Sequence, residues 1–239
     1  MFNLLIYMVY IMTTLIDSIY EKIHEEIIAC HLCPGQKLHI SQLAAHYEVG
    51  LSPVREALSR LLATELVTTI SQKGFRVAAV SLADLQDIYQ TRAHIEALAL
   101  RLSIEQGNDE WEANIVASYH RLIKFESGHS IKKIEDYKEW ETRHRAFNLA
   151  LINACGLKHL LRIQSQLYQL TERYRRQWLM TGIKRIDGLP YAKEQKKMMD
   201  AALARDPTLA TKLLHKHFEA ATEVIASHFM KYHLFDNEE

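Results

Sequence analysis

The sequence predicts a mainly α fold in two parts: a small amino-terminal domain of three short helices and a hairpin, then an all-α antiparallel helical bundle. Apolar residues recur at helical intervals along most of the chain. Glycine and proline are scarce, 8 and 4 in 239 residues, too few for the dense turns of a β-sandwich. The period changes to β-branched residues in one stretch, VTTISQKGFRVAAV at 67–80, which also marks the expected boundary between the two parts. At 48% hydrophobic and 24% charged, the composition is that of ordinary folded protein and argues against disorder.

Lys and Arg equal Asp and Glu at 29 each, so a nucleic-acid partner would have to be met by a local cluster of cations. Three cysteines make no disulfide framework and fit a reducing cytoplasm. Cys30 and Cys33 form a single C-x-x-C with no second pair, which reads as coincidence rather than a metal or redox site. The opening MFNLLIYMVYIMTTLI is apolar but shorter than the roughly 20 residues of a spanning helix, with no basic flank and no cleavage site. No membrane role is expected. Residues 1–11 read as a non-native or disordered extension of the reading frame, with Met12 as the natural start.

Within residues 12–80, Leu15, Ile19, Ile23, Ile27 and Ala29 fall at near-helical spacing, opposite Glu21, Lys22, Glu25 and Glu26. Pro34-Gly35 breaks this helix, and Ser41 is the expected cap of a second, short one through Gln42–His46. After Val49-Gly50, Ser52 is the expected cap of a third helix, with Pro53 at its first position, where a missing N–H costs nothing. That helix would turn Val54, Ala57, Leu58, Leu61 and Leu62 inward and leave Arg55, Glu56 and Ser59 outside. The stretch 67–80 forms a two-stranded hairpin about Gln72-Lys73-Gly74.

Three helices and a hairpin in this order make a winged helix-turn-helix, in which the last helix enters the DNA major groove. Arg55 and Arg60 on that helix, with Lys73 and Arg76 on the wing, are the cations placed for it. Six basic residues (22, 37, 55, 60, 73, 76) against seven acidic (17, 21, 25, 26, 48, 56, 65) leave residues 12–80 at net −1, so modest non-specific affinity and reliance on dimerisation are expected. The run PGQKLHISQLAAHYEVGLSPVREALSRLLATELV and the following QKGFRVAAV resemble the DNA-binding domain of the GntR family of bacterial regulators, most tellingly in SPVREAL at 52–58. The resemblance implies that Ser52, Pro53 and Arg55 sit at the DNA, with Arg55 the leading reader and Gly74 at the wing tip; Ser41, Gln42, Arg60 and Lys73 complete the expected DNA-facing surface. Many members carry arginine where this chain has Leu51, so their half-sites do not transfer. Alone, SPVREAL is also compatible with an ordinary capped helix; the neighbouring helices and hairpin favour the DNA role.

Residues 81–239 show helical runs only. Ser81 and Asp84 open a helix of more than five turns, Asn108 caps the next, and further runs cover Tyr137–Ala154, His159–Met180 and Ala192–Ala204. Asp206-Pro207 then starts a last long helix through Phe229. IYQTRAHIEALAL at 88–100, HRAFNLALINACG at 144–156 and KEQKKMMDAALARDPTLATKLLHKHF at 193–218 are similar, in order and spacing, to the FCD effector domain of the FadR subfamily of GntR regulators.

Many FCD domains hold a divalent metal, and the resemblance lays its ligands onto His144, Asn148, Gln195 and His217. Two carboxamides in that set weaken a zinc site, so the four read rather as polar pocket residues, with His144 and His217 as ligands if an ion binds. The resemblance also points Arg92 into the pocket, where its planar fork suits a small carboxylic acid effector. The alternative is a surface pair between Arg92 and Glu96, one turn on. Arg173, Arg175 and Arg176 in ERYRRQWL read as a solvated face that supplies at most one pocket arginine. Of the alternates His215 and His217, only one can face inward.

The functional expectation is a homodimeric, cytoplasmic repressor of double-stranded operator DNA, tuned by a carboxylate metabolite and not an enzyme. The rivals are a metal-dependent hydrolase or metal-responsive helical protein using His144 and His217, and a helical interaction module without a DNA role. Thirteen scattered histidines with no H-E-x-x-H and no G-x-S-x-G disfavour the hydrolase.

Overall fold

A computed structural model describes residues 2–70, 74–128, 131–182 and 192–235, with side chains from residue 15 onward except at 181, 182 and 192. They divide into two compact units, one reaching Ser81 and the other running Leu82–Leu234.

In the first unit, α1 (Phe2–Ile28) packs on α3 (Leu51–Ala63). Ile19, Ile23 and Ile27, one turn apart, are buried against the face of α3 that carries Val54, Ala57, Leu58 and Leu61. Each of these isoleucine, valine and leucine side chains contributes about 1.5–3 kcal/mol when taken out of water. Leu62 does not join them. It is 37% exposed, because one further residue rotates the side chain by about 100° off the buried stripe.

The two expected serine caps are not found. Helix α2 (Ile40–His46) is preceded by His39, in extended conformation and without a side-chain cap, so Ser41 is an exposed residue of its first turn. Helix α3 is preceded by Gly50 and opens at Leu51, so Ser52 and Pro53 are its second and third residues. Proline fits there for the reason it fits the first position: the first four N–H groups of a helix have no intrahelical acceptor.

The wing is one strand larger than expected. β2 (Val67–Ile70) and β3 (Gly74–Val77) pair antiparallel, and β1 (Lys37–Leu38) adds to the other side of β3, giving the order β1-β3-β2. The Gly35 N–H donates to the Val77 carbonyl at 3.1 Å, and the Val77 N–H donates to the Gln36 carbonyl at 2.9 Å, which fastens β1 in place. Gly74 has φ +114°, a conformation that side-chain-bearing residues rarely adopt, so glycine is required where β3 begins. Lys73 lies outside the described residues.

The second unit consists of α4 (Leu82–Gln106), α5 (Asp109–Gly128), α6 (Ile134–Ile152), α7 (Lys158–Gly182), α8 (Ala192–Leu203) and α9 (Pro207–Lys231). α4 and α9 pack along each other; α7 packs on both, α6 on α4 and α7, and α5 joins α6 to α8. The Asn108 side chain accepts from the Trp111 N–H at 3.0 Å, and Asp206 accepts from the Leu209 N–H at 2.9 Å with Pro207 leading the helix. Tyr137, Trp140, Phe147, Tyr168, Tyr174 and Phe229 are fully buried in the bundle.

The ERYRRQWL segment departs furthest from expectation. Arg173, Arg175 and Arg176 are all buried, at 5, 5 and 6% exposure. Their partners come from distant parts of the chain. Arg173 meets Asp84 at 2.8 Å, Arg175 meets Glu141 at 2.6 Å, and Arg176 lies over the Tyr137 ring at 5.6 Å. α7 runs inside the bundle with neighbours on several sides, so a charged residue on it finds carboxylates and rings rather than water.

Candidate DNA-reading face and interior cavity

On the first unit, the side of α3 opposite its buried stripe exposes Leu51, Ser52, Arg55, Glu56 and Ser59, and α2 exposes Ser41 and Gln42. Arg55 stands clear of the fold, and the Ser59 hydroxyl donates to its backbone carbonyl at 2.9 Å. Pro53 is buried and braces the helix from within rather than reaching outward. Arg60 is held at 2.6 Å by Asp17 of α1, which turns its guanidinium toward the helix pair. On the wing, Lys37 and Arg76 sit directly opposite each other on adjacent strands, both exposed and on one face. The Arg76 guanidinium donates to the Gly35 carbonyl. Lys37 is a wing cation that the sequence reading missed, because a two-residue strand shows no alternation.

In the second unit, Arg92, His144, Asn148 and His217 wall one interior cavity together with Tyr89, Trp140, Arg175 and Trp178. Its volume is about 30 Å³, room for one or two water molecules. Among the described residues, Gln195 is not part of that wall; it is buried on α8.

Arg92 does pair with Glu96, as the surface-pair reading holds, but inside the bundle at 3% exposure. Its Nε and Nη2 donate to Glu96 Oε1 at 2.9 and 2.8 Å, and Gln164 Nε2 donates to the same oxygen at 3.1 Å. Its Nη1 donates to the Thr171 hydroxyl at 2.9 Å, and Arg175 donates to that same hydroxyl. The Tyr168 ring lies 4.9 Å from the Arg92 guanidinium and 4.3 Å from that of Arg175. One hydroxyl and one ring thus bridge two cations from α4 and α7.

The histidines of the cavity are kept neutral. Burial, then Arg175, His217 and Arg92, push His144 well below the usual imidazole range. Burial and Arg92 push His217 down to about 4. His144 Nδ1 lies 3.0 Å from the Tyr168 hydroxyl, and its ring stacks on Trp140 with centroids 4.6 Å apart. His215, the alternate of His217, is half-buried and faces His94 instead.

These residues do not fit a divalent cation. Two imidazoles and a carboxamide form a weak donor set, and the guanidiniums that disfavour protons on His144 disfavour a dication there equally. Among the described residues, no three His, Cys, Asp or Glu side chains are grouped to hold an ion.

A helix pair exposing an arginine-bearing second helix, a small wing with paired cations, and a separate helical unit define a DNA-binding transcription regulator with an FCD-type second domain. The chain matches the model for bacterial regulatory proteins of the gntR family over residues 15–77 and the FCD domain over residues 87–220. It is 39% identical over 207 residues to the HTH-type transcriptional repressor GlaR of Escherichia coli K12, covering 86% of this chain and 93% of that one. It is 28% identical over 204 residues to the Nta operon transcriptional regulator of Aminobacter aminovorans, covering 83% and 90%. Among solved structures, E. coli McbR/YncC has the same fold, with a TM-score of 0.69 at 19% identity over 90% of this chain and 98% of that one. The chain belongs to the GntR family of bacterial transcription regulators and carries the FCD domain.

Among the described residues, no helix is long and apolar enough to cross a membrane.

Proposed function

We propose that the protein is a cytoplasmic homodimeric repressor whose first unit, residues 12–80, reads operator DNA and whose second, residues 81–239, releases it on binding a small carboxylic acid. Two half-sites about one DNA turn or less apart would match the twofold axis of such a dimer. On the DNA side, Ser41, Gln42, Ser52 and Arg55 present hydrogen-bonding groups to the groove and its phosphates, while Lys37, Lys73 and the Gly74-led strand bring the wing alongside. Arg55→Ala should weaken operator binding at least about tenfold in a gel shift with the fold intact. Unchanged binding refutes the assignment.

One observation carries the effector reading: two buried guanidiniums, Arg92 and Arg175, line the same small cavity beside two neutral imidazoles. A carboxylate can take parallel hydrogen bonds from such a fork, and the imidazoles add donors without adding charge. The cavity must widen to admit even a small acid, so the ligand favours an opened bundle, and that preference is what it can pass on to DNA affinity. Thermal-shift screening of the full chain against mono- and dicarboxylates, each with Zn²⁺ and with chelator, tests this. The expected result is a raised melting temperature for one acid, unaffected by chelator and lost in Arg175→Lys. A flat response to every acid removes the effector reading.

A further inference from the structure

The first residue of α3 is a leucine, and it is 54% exposed. Leu51 follows Gly50 in extended conformation, and the helix turns its apolar neighbours Val54, Ala57, Leu58 and Leu61 to the opposite, buried side. Leu51, Arg55 and Ser59, spaced four apart, form one exposed stripe along the helix. In a helix-turn-helix, the amino-terminal residues of the second helix reach the base edges of the major groove. Leucine offers neither donor nor acceptor there. In that groove the one apolar group on a base edge is the C5 methyl of thymine.

Resting on the proposed reading of operator DNA by α3, we infer that Leu51 is a specificity-determining residue that packs on a thymine methyl of the operator. Its place beside Arg55 bounds where that thymine lies. Four residues rise about 6 Å along the helix, or about two base steps, so the thymine sits within roughly two base pairs of the pair that depends on Arg55. The preference it confers is modest and one-sided: it favours thymine and rejects nothing by hydrogen bonding.

The test is a selection from random duplex DNA with the full-length wild type, Leu51→Ala and Leu51→Arg, followed by gel shifts on the enriched site. In those shifts each thymine of the half-site is replaced in turn by deoxyuridine, which removes only the methyl. For wild type, one position should select thymine and lose about three- to fivefold in affinity as deoxyuridine, the worth of about one buried methyl. Leu51→Ala should bind the thymine and deoxyuridine sites equally, and Leu51→Arg should shift the selected base toward guanine, which a guanidinium can grip by two hydrogen bonds. Leu51 is more than half exposed and stands outside the buried stripe of α3, so circular dichroism of both variants should match wild type. Equal wild-type affinity for thymine and deoxyuridine at every position overturns the inference, as does a Leu51→Ala chain that keeps the deoxyuridine penalty. A wild type that enriches no sequence at all overturns the operator-reading proposal along with it.

Discussion

Replacing Arg92 by methionine removes a cation of similar length from the centre of the bundle and strands the carboxylate it serves. Three N–H groups converge on Glu96 Oε1, two from Arg92 and one from Gln164, and Glu96 is itself 2% exposed. After Arg92→Met only the Gln164 amide remains to serve that buried carboxylate. Breaking a buried pair from one side costs about 3–5 kcal/mol. At about 2–4 °C per kcal/mol for a unit of this size, the melting temperature should fall by roughly 6–20 °C. Adding Glu96→Leu removes the orphaned charge and should return much of that loss, because apolar residues of similar volume replace buried ion pairs at little net cost. Urea denaturation of the four proteins in a double-mutant cycle, at pH 7, measures the coupling. A single variant that loses less than about 1 kcal/mol, or a double variant no more stable than Arg92→Met, refutes the reasoning that the buried pair is held by mutual dependence.

The histidines give the fold an acid-sensitive flank. His217, brought down to about 4 in the folded protein from an ordinary 6.5, stays neutral where the unfolded chain takes up a proton. Stability is therefore full above about pH 6.5 and declines as pH falls toward 4, and His217→Gln should flatten part of that decline in melts recorded across the range. At the wing, Gly74→Ala meets no steric neighbour among the described residues but forces a side chain into φ +114°. It should cost about 1–3 kcal/mol and weaken DNA binding; wild-type stability by thermal melt would show that β3 can begin in another conformation.

Much of the architecture is legible in the chain because its determinants are local. The isoleucines of α1, the Asn108 cap and the Asp206-Pro207 start each lie within a few residues of what they organise. Where the reading slipped, the cause is either ambiguity within a turn or dependence on distant partners. Serine at positions 41 and 52 suits a cap or a first turn equally well, and Pro53 tolerates any of the first few helical positions, so neither fixes where α2 and α3 begin. Leu62 lies next to a buried leucine and looks alike in sequence, but helical rotation carries it to the surface. Of the five pocket residues that the family resemblance implies, four share a wall. Arg175 could be suspected only from its charged run, since the Glu141 that justifies its burial is 34 residues away. Arg60 was legible as a cation but not as one already engaged, because Asp17 lies 43 residues upstream.

The smallness of the space between Arg92 and Trp178 has a kinetic consequence. If the proposed effector site is this space, a solute of several heavy atoms exceeds its volume, and entry would wait until the helices part by themselves. Association measured by stopped flow should then speed up with solute concentration only to a ceiling, set by how often the bundle breathes, and that ceiling would be the same for every acid that fits.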